Sequence, residues 1–146
     1  MLDSVSSIEK QSERLLTASD AIMRNLYSQY TAIKDKARIT KSQIIALEYI
    51  ARKKECTMNE LSKLTGFALG ALTGIIDRMI AKGLVRRRRD GADRRVVKVY
   101  ATEKGTTLAN EYYQNKLEIV KQLLSKIEQA DRENFVSMIE KVAGYF

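Results

Sequence analysis

Residues 57–102 restrict the possible folds more than any other part of the chain, because two short helical patterns there precede two β-rich runs around a basic loop. Thr57-x-x-Glu60 is a capping box, which predicts a helix that begins at Met58. Gly66 is placed to end this helix in the left-handed conformation. The helix is expected to carry two apolar residues on one face, Leu61 and Leu64.

A second helix is predicted from about Ala68 to Lys82, with Gly83 ending it. Apolar residues recur in it at spacings of three and four, which is typical of one buried face. They are Leu72, Ile75, Ile76, Met79 and Ile80. Two short helices joined by a glycine-containing turn form a helix-turn-helix pattern, whose second helix enters the DNA major groove.

The opposite face of this second helix carries small or exposed residues that a partner could contact. Small side chains let a backbone approach DNA closely, and Thr73 could meet a thymine methyl or a base-edge acceptor. Alternatively, Gly70 and Gly74 only permit tight helix packing. The candidate DNA-binding residues on this helix are Leu69, Gly70, Ala71, Thr73, Gly74 and Arg78.

A basic hairpin is predicted next, with strands over 84–89 and 96–101 and a turn over 90–95. Between Lys82 and Lys98 there are eight basic and two acidic residues, which is +6 out of +8 for the whole chain. A charge run is often only a solvated surface. Its density and its position directly after a helix-turn-helix favour a phosphate-binding wing instead.

At these residues the chain resembles the MarR family of winged helix-turn-helix regulators. The family's wing signature, D-x-R followed by a V-x-L-T strand end, stands here as Asp93-Arg94-Arg95 and Val99-Tyr100-Ala101-Thr102, with Ala101 in place of Leu. The resemblance implies that Arg95 reaches toward the minor groove and that Asp93 orients it or its neighbour. The candidate DNA-binding residues of the wing are Arg88, Arg89, Asp93, Arg94 and Arg95. Ala68-Leu69 departs from the family, where a polar residue and Pro or Thr are common.

The flanking segments predict long helices. Residues 6–36 form one helix with a stripe that includes Ile8, Leu15 and Ile22, and residues 103–128 form another after an N-cap at Thr102. Thr40-x-x-Gln43 opens a helix to about residue 53, and Asp131 is expected to cap the last helix. The fold class is therefore mainly α (α+β), a winged helix-turn-helix lobe over about 40–102. Dimerisation helices over about 1–36 and 103–146 complete one domain.

Composition excludes several function classes. Histidine is absent and Cys56 is the single cysteine, so neither a Cys/His metal site nor a His-dependent catalytic site can form. We predict no enzyme activity, no cofactor and no metal. No run of 18 apolar residues and no signal peptide occur, which predicts a cytoplasmic protein without a membrane partner. A pI near 9.6 suits a polyanion.

The predicted function is a homodimeric, sequence-specific regulator that binds double-stranded DNA at a pseudo-palindromic operator. Resemblance to the family implies repression that a small molecule or an oxidant relieves. Tyr27, Tyr30 and Tyr112 could border an effector cleft, or they could be core or interface residues. Cys56 could be a redox switch or a small buried residue. Two other functions stay open: an architectural protein without sequence preference, and a winged helix that binds an acidic protein.

Overall fold

The computed structural model describes the backbone of residues 2–93 and 95–145, and their side chains except those of 2–6 and 26–37. Within these residues the order is α1 Leu2–Ala37, α2 Lys41–Lys53, β1 Glu55–Thr57, α3 Met58–Thr65, α4 Leu69–Ala81, β2 Val85–Arg89, β3 Val97–Ala101, α5 Glu103–Leu124 and α6 Gln129–Ala143. The predicted mainly α fold with a small sheet is confirmed. Residues up to 113 form one compact unit and residues from 114 form a second, and each is described by itself.

Apolar side chains from α2, α3, α4 and the sheet build the core of the first unit. The predicted stripe of α4 lies in it, with Leu72, Ile76 and Met79 completely buried and Ile80 packed at its edge. On α3 only Leu61 is buried. Leu64 follows Leu61 by three residues on this helix and is 36% exposed, next to the last residue of α3.

Three antiparallel strands form the sheet, in the order β1-β3-β2. Cys56 pairs with Val99, and Val85 pairs with Ala101 at the base of the hairpin. Because side chains alternate across a strand, Val85 and Val99 enter the core while Arg86 and Lys98 lie on the other side.

The predicted capping boxes of α2 and α3 are present with both reciprocal hydrogen bonds. Gly66 takes the left-handed conformation with φ 73° at the end of α3. Thr102 caps α5 by accepting a hydrogen bond from the Gly105 amide at 3.1 Å. These helix ends follow the sequence because capping depends on neighbouring residues alone.

In the second unit, the boundary between α5 and α6 differs from the prediction. α5 ends at Leu124 rather than near residue 128, and α6 begins at Gln129 with Glu128 at the N-cap. Asp131 lies in the first turn of α6 instead of capping it, a position where a carboxylate also suits the helix N-terminus. Arg132 shares its Nε–H between the carbonyl oxygens of Leu124 and Ile127, at 3.0 and 2.9 Å. Arg132 thereby connects α6 to the end of α5 and to the turn that follows it.

The terminal helices carry exposed apolar side chains. In α1 they include Ile8 at 62% and Leu15 at 69% exposure. In α6 they include Met138 at 65% and Ile139 at 55% exposure. Among the described residues no single helix is long and apolar enough to span a membrane; α3 and α4 meet that criterion only together, by length and composition, and they are bent by 107°.

Gly105 in the first turn of α5 approaches another backbone segment closely. A Cβ at this position would lie 2.0 Å from the carbonyl oxygen of Leu84 and 3.2 Å from a methyl group of Leu47. The same region is fixed by the Thr102 amide, which donates to the Leu84 oxygen at 3.0 Å. Position 105 therefore requires glycine because there is no room for a Cβ, and not because of its backbone dihedral angles.

Gly105→Ala should lower the free energy of unfolding by about 1–3 kcal/mol, because a methyl group must displace backbone atoms. Gly70→Ala is the matched control, since a Cβ at Gly70 meets nothing within 4 Å and alanine favours a helix by about 0.5–1 kcal/mol. Chemical denaturation of both variants measures the difference. Equal stability of the two variants would contradict the close approach at Gly105.

Cys56 lies in β1 and is only 4% exposed. Burial raises the pKa of its thiol to about 11, with Glu60 adding to the rise and Lys53 opposing it. The structure thus supports the interpretation of Cys56 as a small buried residue, because the reactive thiolate is scarce at neutral pH.

Cys56 should react with iodoacetamide at pH 7.5 at least about 100-fold more slowly than a free thiol of pKa near 8.5, because its thiolate fraction is lower by more than that factor. Denaturant should restore the ordinary rate. Mass spectrometry of the alkylated chain in both conditions provides the measurement. Rapid alkylation of the folded protein would show instead that Cys56 is accessible and activated.

Candidate nucleic-acid interface

α3 and α4 form the helix-turn-helix that residues 57–83 predict. The two helices bend by 107° across their turn, within the range of about 90–120° for this motif. Side chains fix the turn: the Ser62 hydroxyl donates to the Phe67 carbonyl at 2.7 Å, and the Phe67 amide donates to Thr65 Oγ1 at 3.2 Å. The buried stripe of α4 then leaves the opposite face of that helix outside.

This outer face of α4 is small and apolar in its first two turns. Leu69 is 47% exposed. Gly70, Ala71 and Thr73 are exposed beside it. The Thr73 hydroxyl donates to the Leu69 carbonyl at 3.0 Å. Ala68 at the N-cap provides no side-chain hydrogen bond, so the first amides of α4 have no side-chain partner there.

Arg78 supplies the guanidinium group of this face, one helical turn beyond Gly74. An ideal Cβ on Gly74 would lie 3.4 Å from an Arg78 Nη atom, so the guanidinium lies along the glycine. Glycine at 74 thus gives space to the Arg78 side chain, whereas at 70 it leaves the helix surface open. The idea that both glycines serve helix packing is not supported, since neither is in contact with another helix's backbone.

An ion pair that the sequence did not indicate connects α4 to the hairpin. Arg87 donates from an Nη atom to Asp77 Oδ1 at 2.6 Å. Strand alternation places Arg87 and Arg89 on the side of the sheet that carries Val85 and Val99. Side chains alternate along a strand, so counting from the buried Val85 would have placed Arg87 on the core side of the sheet and its neighbours Arg86 and Arg88 on the other side.

Arg88 projects from the other side of the sheet, together with Arg86, Lys98 and Tyr100. It forms an ion pair with Glu55 and lies 5.7 Å from the Tyr100 ring centroid. Arg88 was expected among the DNA-binding residues, yet its charge is already offset on the face opposite Arg87 and Arg89. Arg89 forms no ion pair with any residue of the described ranges.

Lys98 connects β1 to the base of the hairpin turn. Its Nζ lies 3.2 Å from Glu55 Oε1 and 2.5 Å from Asp90 Oδ2. Lys98 lowers the pKa of both carboxyl groups. Arg88 also lowers the pKa of Glu55. The pKa of Asp90 falls to about 2, because the amides of Ala92 and Asp93 donate to it in addition to Lys98. Both carboxylates are therefore charged at neutral pH, and Glu55, which lies outside the run 82–98, offsets part of the +6 counted there.

The hairpin turn presents Arg95 to solvent in a fixed orientation. The side chain of Arg95 is 92% exposed, and its guanidinium donates to both carboxylate oxygens of Asp93, at 3.1 and 3.2 Å. The Arg95 amide also donates to Asp93 Oδ1 at 3.0 Å, and these bonds to Arg95 lower the pKa of Asp93. Arg94 lies outside the described residues.

Of the three tyrosines considered for an effector site, Tyr112 is partly buried and packs against the core. The side chains of Tyr27 and Tyr30 lie outside the described residues. In the described part of the chain, no cluster of three His, Cys, Asp or Glu side chains could hold a metal ion.

Comparisons with known proteins agree with this architecture. Residues 39–96 match the model of the MarR family. The chain is 33% identical over 101 residues to the organic hydroperoxide resistance transcriptional regulator of Bacillus subtilis, covering 69% of this chain and 67% of that protein. A MarR family protein from Bacillus stearothermophilus superposes with a TM-score of 0.81 at 26% identity, covering 94% of this chain and 96% of that one.

The fold is also similar to that of a mutant MarR from E. coli complexed with operator DNA. The TM-score is 0.66 at 24% identity, with 84% of this chain and 89% of that chain covered. The matched residues 39–96 contain the helix-turn-helix, β2 and the hairpin turn. The chain belongs to the MarR family, whose members are transcriptional regulators and not enzymes.

Proposed function

We propose that this regulator binds an operator in double-stranded DNA as a homodimer, with α4 in the major groove and the hairpin turn at the adjacent minor groove. The observation that carries the proposal is the pair of surfaces left outside the core. One is the small outer face of α4, and the other is the exposed Arg95 guanidinium held by Asp93.

The geometry of Arg95 supports a role at the minor groove. A narrow A·T minor groove has a strong negative potential that attracts an inserted arginine. Arg95 extends from the hairpin turn, and its two hydrogen bonds to Asp93 restrict its rotamers before DNA arrives. Asp93 therefore acts as a positioning residue, since ordering Arg95 in advance reduces the entropy lost on binding.

Besides Arg95, other cations are placed to neutralise phosphates. Arg89 is exposed on the same side of the sheet as Arg87, and Arg78 lies on the outer face of α4. The uncapped amides at the start of α4 are further donors suited to a phosphate. Arg88 contributes less, because Glu55 neutralises it.

A homodimer explains the apolar surfaces of the terminal helices. A monomer in water would leave Ile8 and Leu15 of α1, and Met138 and Ile139 of α6, more than half exposed. Such stripes ordinarily mark an interface. Two copies would present two α4 helices to half-sites roughly 34–36 Å apart, which fits a pseudo-palindromic operator.

Repression follows if the operator overlaps a promoter, because the bound dimer then blocks polymerase. An effector that changes the spacing of the two α4 helices would release it. Tyr112 is the described residue of the tyrosine set that could take part in such a site. A regulator of this kind acts where the DNA is, which places it in the cytoplasm.

Arg95→Ala should weaken binding to all duplexes and lower the slope of log affinity against log salt by about 0.9, because one phosphate-neutralising charge is lost. Sites with narrow A·T minor grooves should lose the most. Fluorescence anisotropy at several salt concentrations measures both effects, with an A·T-flanked and a G·C-flanked duplex.

Two controls separate charge, position and geometry. Arg86→Ala removes the same charge from the other side of the sheet and should change the slope less. Arg95→Lys keeps the charge but cannot reproduce the two-pronged contact with Asp93, so the slope should persist while the A·T preference declines. If Arg86→Ala reduces the slope more than Arg95→Ala does, the DNA lies on the other face of the sheet.

Wild-type protein should sediment as a dimer at micromolar concentration, whereas Met138→Asp should shift it toward monomer, because the aspartate would be buried at the interface. Ser137→Asp is the matched control: it adds the same charge at the neighbouring exposed position, off the apolar stripe, and should leave the dimer intact. A monomeric wild type in analytical ultracentrifugation would contradict the homodimer.

A further inference from the structure

The outer face of α4 is poor in side-chain hydrogen-bond donors over its first two turns. Leu69, Gly70, Ala71 and Gly74 have no polar side-chain atom, and of these Leu69 is 47% exposed. Base discrimination in the major groove commonly relies on Arg or Lys for guanine and Asn or Gln for adenine. None of these residue types stands between Leu69 and Asp77.

Thr73 is the polar residue of this segment, and its hydroxyl hydrogen is already engaged. Its Oγ1 donates to the Leu69 carbonyl at 3.0 Å across one helical turn. A threonine hydroxyl has one hydrogen, so in this arrangement Thr73 offers a base only its methyl group and oxygen lone pairs. Thr73 therefore does not donate a hydrogen bond to N7 of guanine or to N7 of adenine.

The charged residues that follow do not supply the missing donor near the start of the helix. Asp77 is paired with Arg87 at 2.6 Å. The Arg78 guanidinium reaches back along the helix to Gly74, in the second turn of α4, and does not extend to Leu69, Gly70 or Ala71. A side-chain donor that contacts guanine is thus confined to the part of α4 from Gly74 onward.

The C5-methyl of thymine is the apolar group that the major groove displays. We propose that Leu69 and the Thr73 methyl recognise this group, so that the base pairs facing these two residues are specified by thymine methyls rather than by a donor and acceptor pattern. This inference rests on the proposed function, because it requires α4 to lie in the major groove. Gly70 and Ala71 then serve by letting the helix come close enough for methyl contact.

Replacing thymine with deoxyuridine tests the inference, because it removes the methyl group and keeps every pairing and hydrogen-bonding atom. The probe is the best duplex selected from a random library by the wild-type protein. Each thymine in turn is changed to deoxyuridine, and the dissociation constant is measured. At one or more positions in each half-site we expect about fourfold weaker binding, equivalent to about 0.8 kcal/mol at about 1.4 kcal/mol per tenfold.

Variants assign the effect to individual side chains. Leu69→Ala and Thr73→Ser each remove apolar atoms from an exposed position, and each should abolish the deoxyuridine penalty at its own thymine. Thr73→Val keeps a methyl group but loses the hydroxyl and should retain the penalty. Circular dichroism confirms that all three variants fold.

The outcomes separate this inference from the function on which it rests. If no duplex is preferred over random DNA, sequence-specific binding itself fails. If a preferred duplex tolerates deoxyuridine at every position, the operator function stands and methyl recognition is wrong. If the penalty is unchanged in both Leu69→Ala and Thr73→Ser, other residues contact the methyl groups and the assignment to α4 is overturned.

Discussion

Burial of one stripe of α4 determines what the rest of the molecule can offer to a partner. Leu72, Ile75, Ile76 and Met79 enter the core against α2 and the sheet. Fully burying each such side chain contributes about 1.5–3 kcal/mol, far more than the solvent-exposed ion pairs around it. The helix therefore cannot rotate to present a different face, and the small residues at 69–74 stay outside. The sheet and its hairpin are positioned by the same core through Val85 and Val99.

Much of this arrangement follows from the sequence because its causes are local. Capping boxes at Thr40 and Thr57, the left-handed Gly66 and the 3-4 periodicity of α4 each depend on residues within one or two turns. The end of α5 was misjudged for the opposite reason. Arg132, eight residues beyond Leu124, donates its Nε–H to the carbonyls of Leu124 and Ile127, at and just past the end of α5. Apolar spacing alone continued the helix to residue 128.

Contacts between distant segments explain what the sequence could not predict about the site. Counting charges over 82–98 treated every cation as available, but Glu55 and Asp77 lie outside that run and pair with Arg88 and Arg87. The Leu84 carbonyl excludes any side chain at Gly105, a contact between residues that are 21 positions apart in the sequence. The spacing of residues along the chain does not predict these contacts, because predicting them requires the register of the sheet and the packing of α5.

Charge and shape are consequently divided between two parts of the proposed interface. The hairpin concentrates cations, and several of them are partly neutralised, which limits affinity for arbitrary DNA; Arg95, although paired with Asp93, still extends into solvent. α4 adds little charge to the interface. Its Asp77 pairs with Arg87 of the hairpin, and Arg78 is the cation on its outer face. A protein whose attraction to phosphates is moderated depends more on base contacts to distinguish its operator from the excess of other sites. Neutralising Asp77 or Glu55 would strengthen the sequence-independent attraction without adding any base contact, so discrimination would fall as affinity rose.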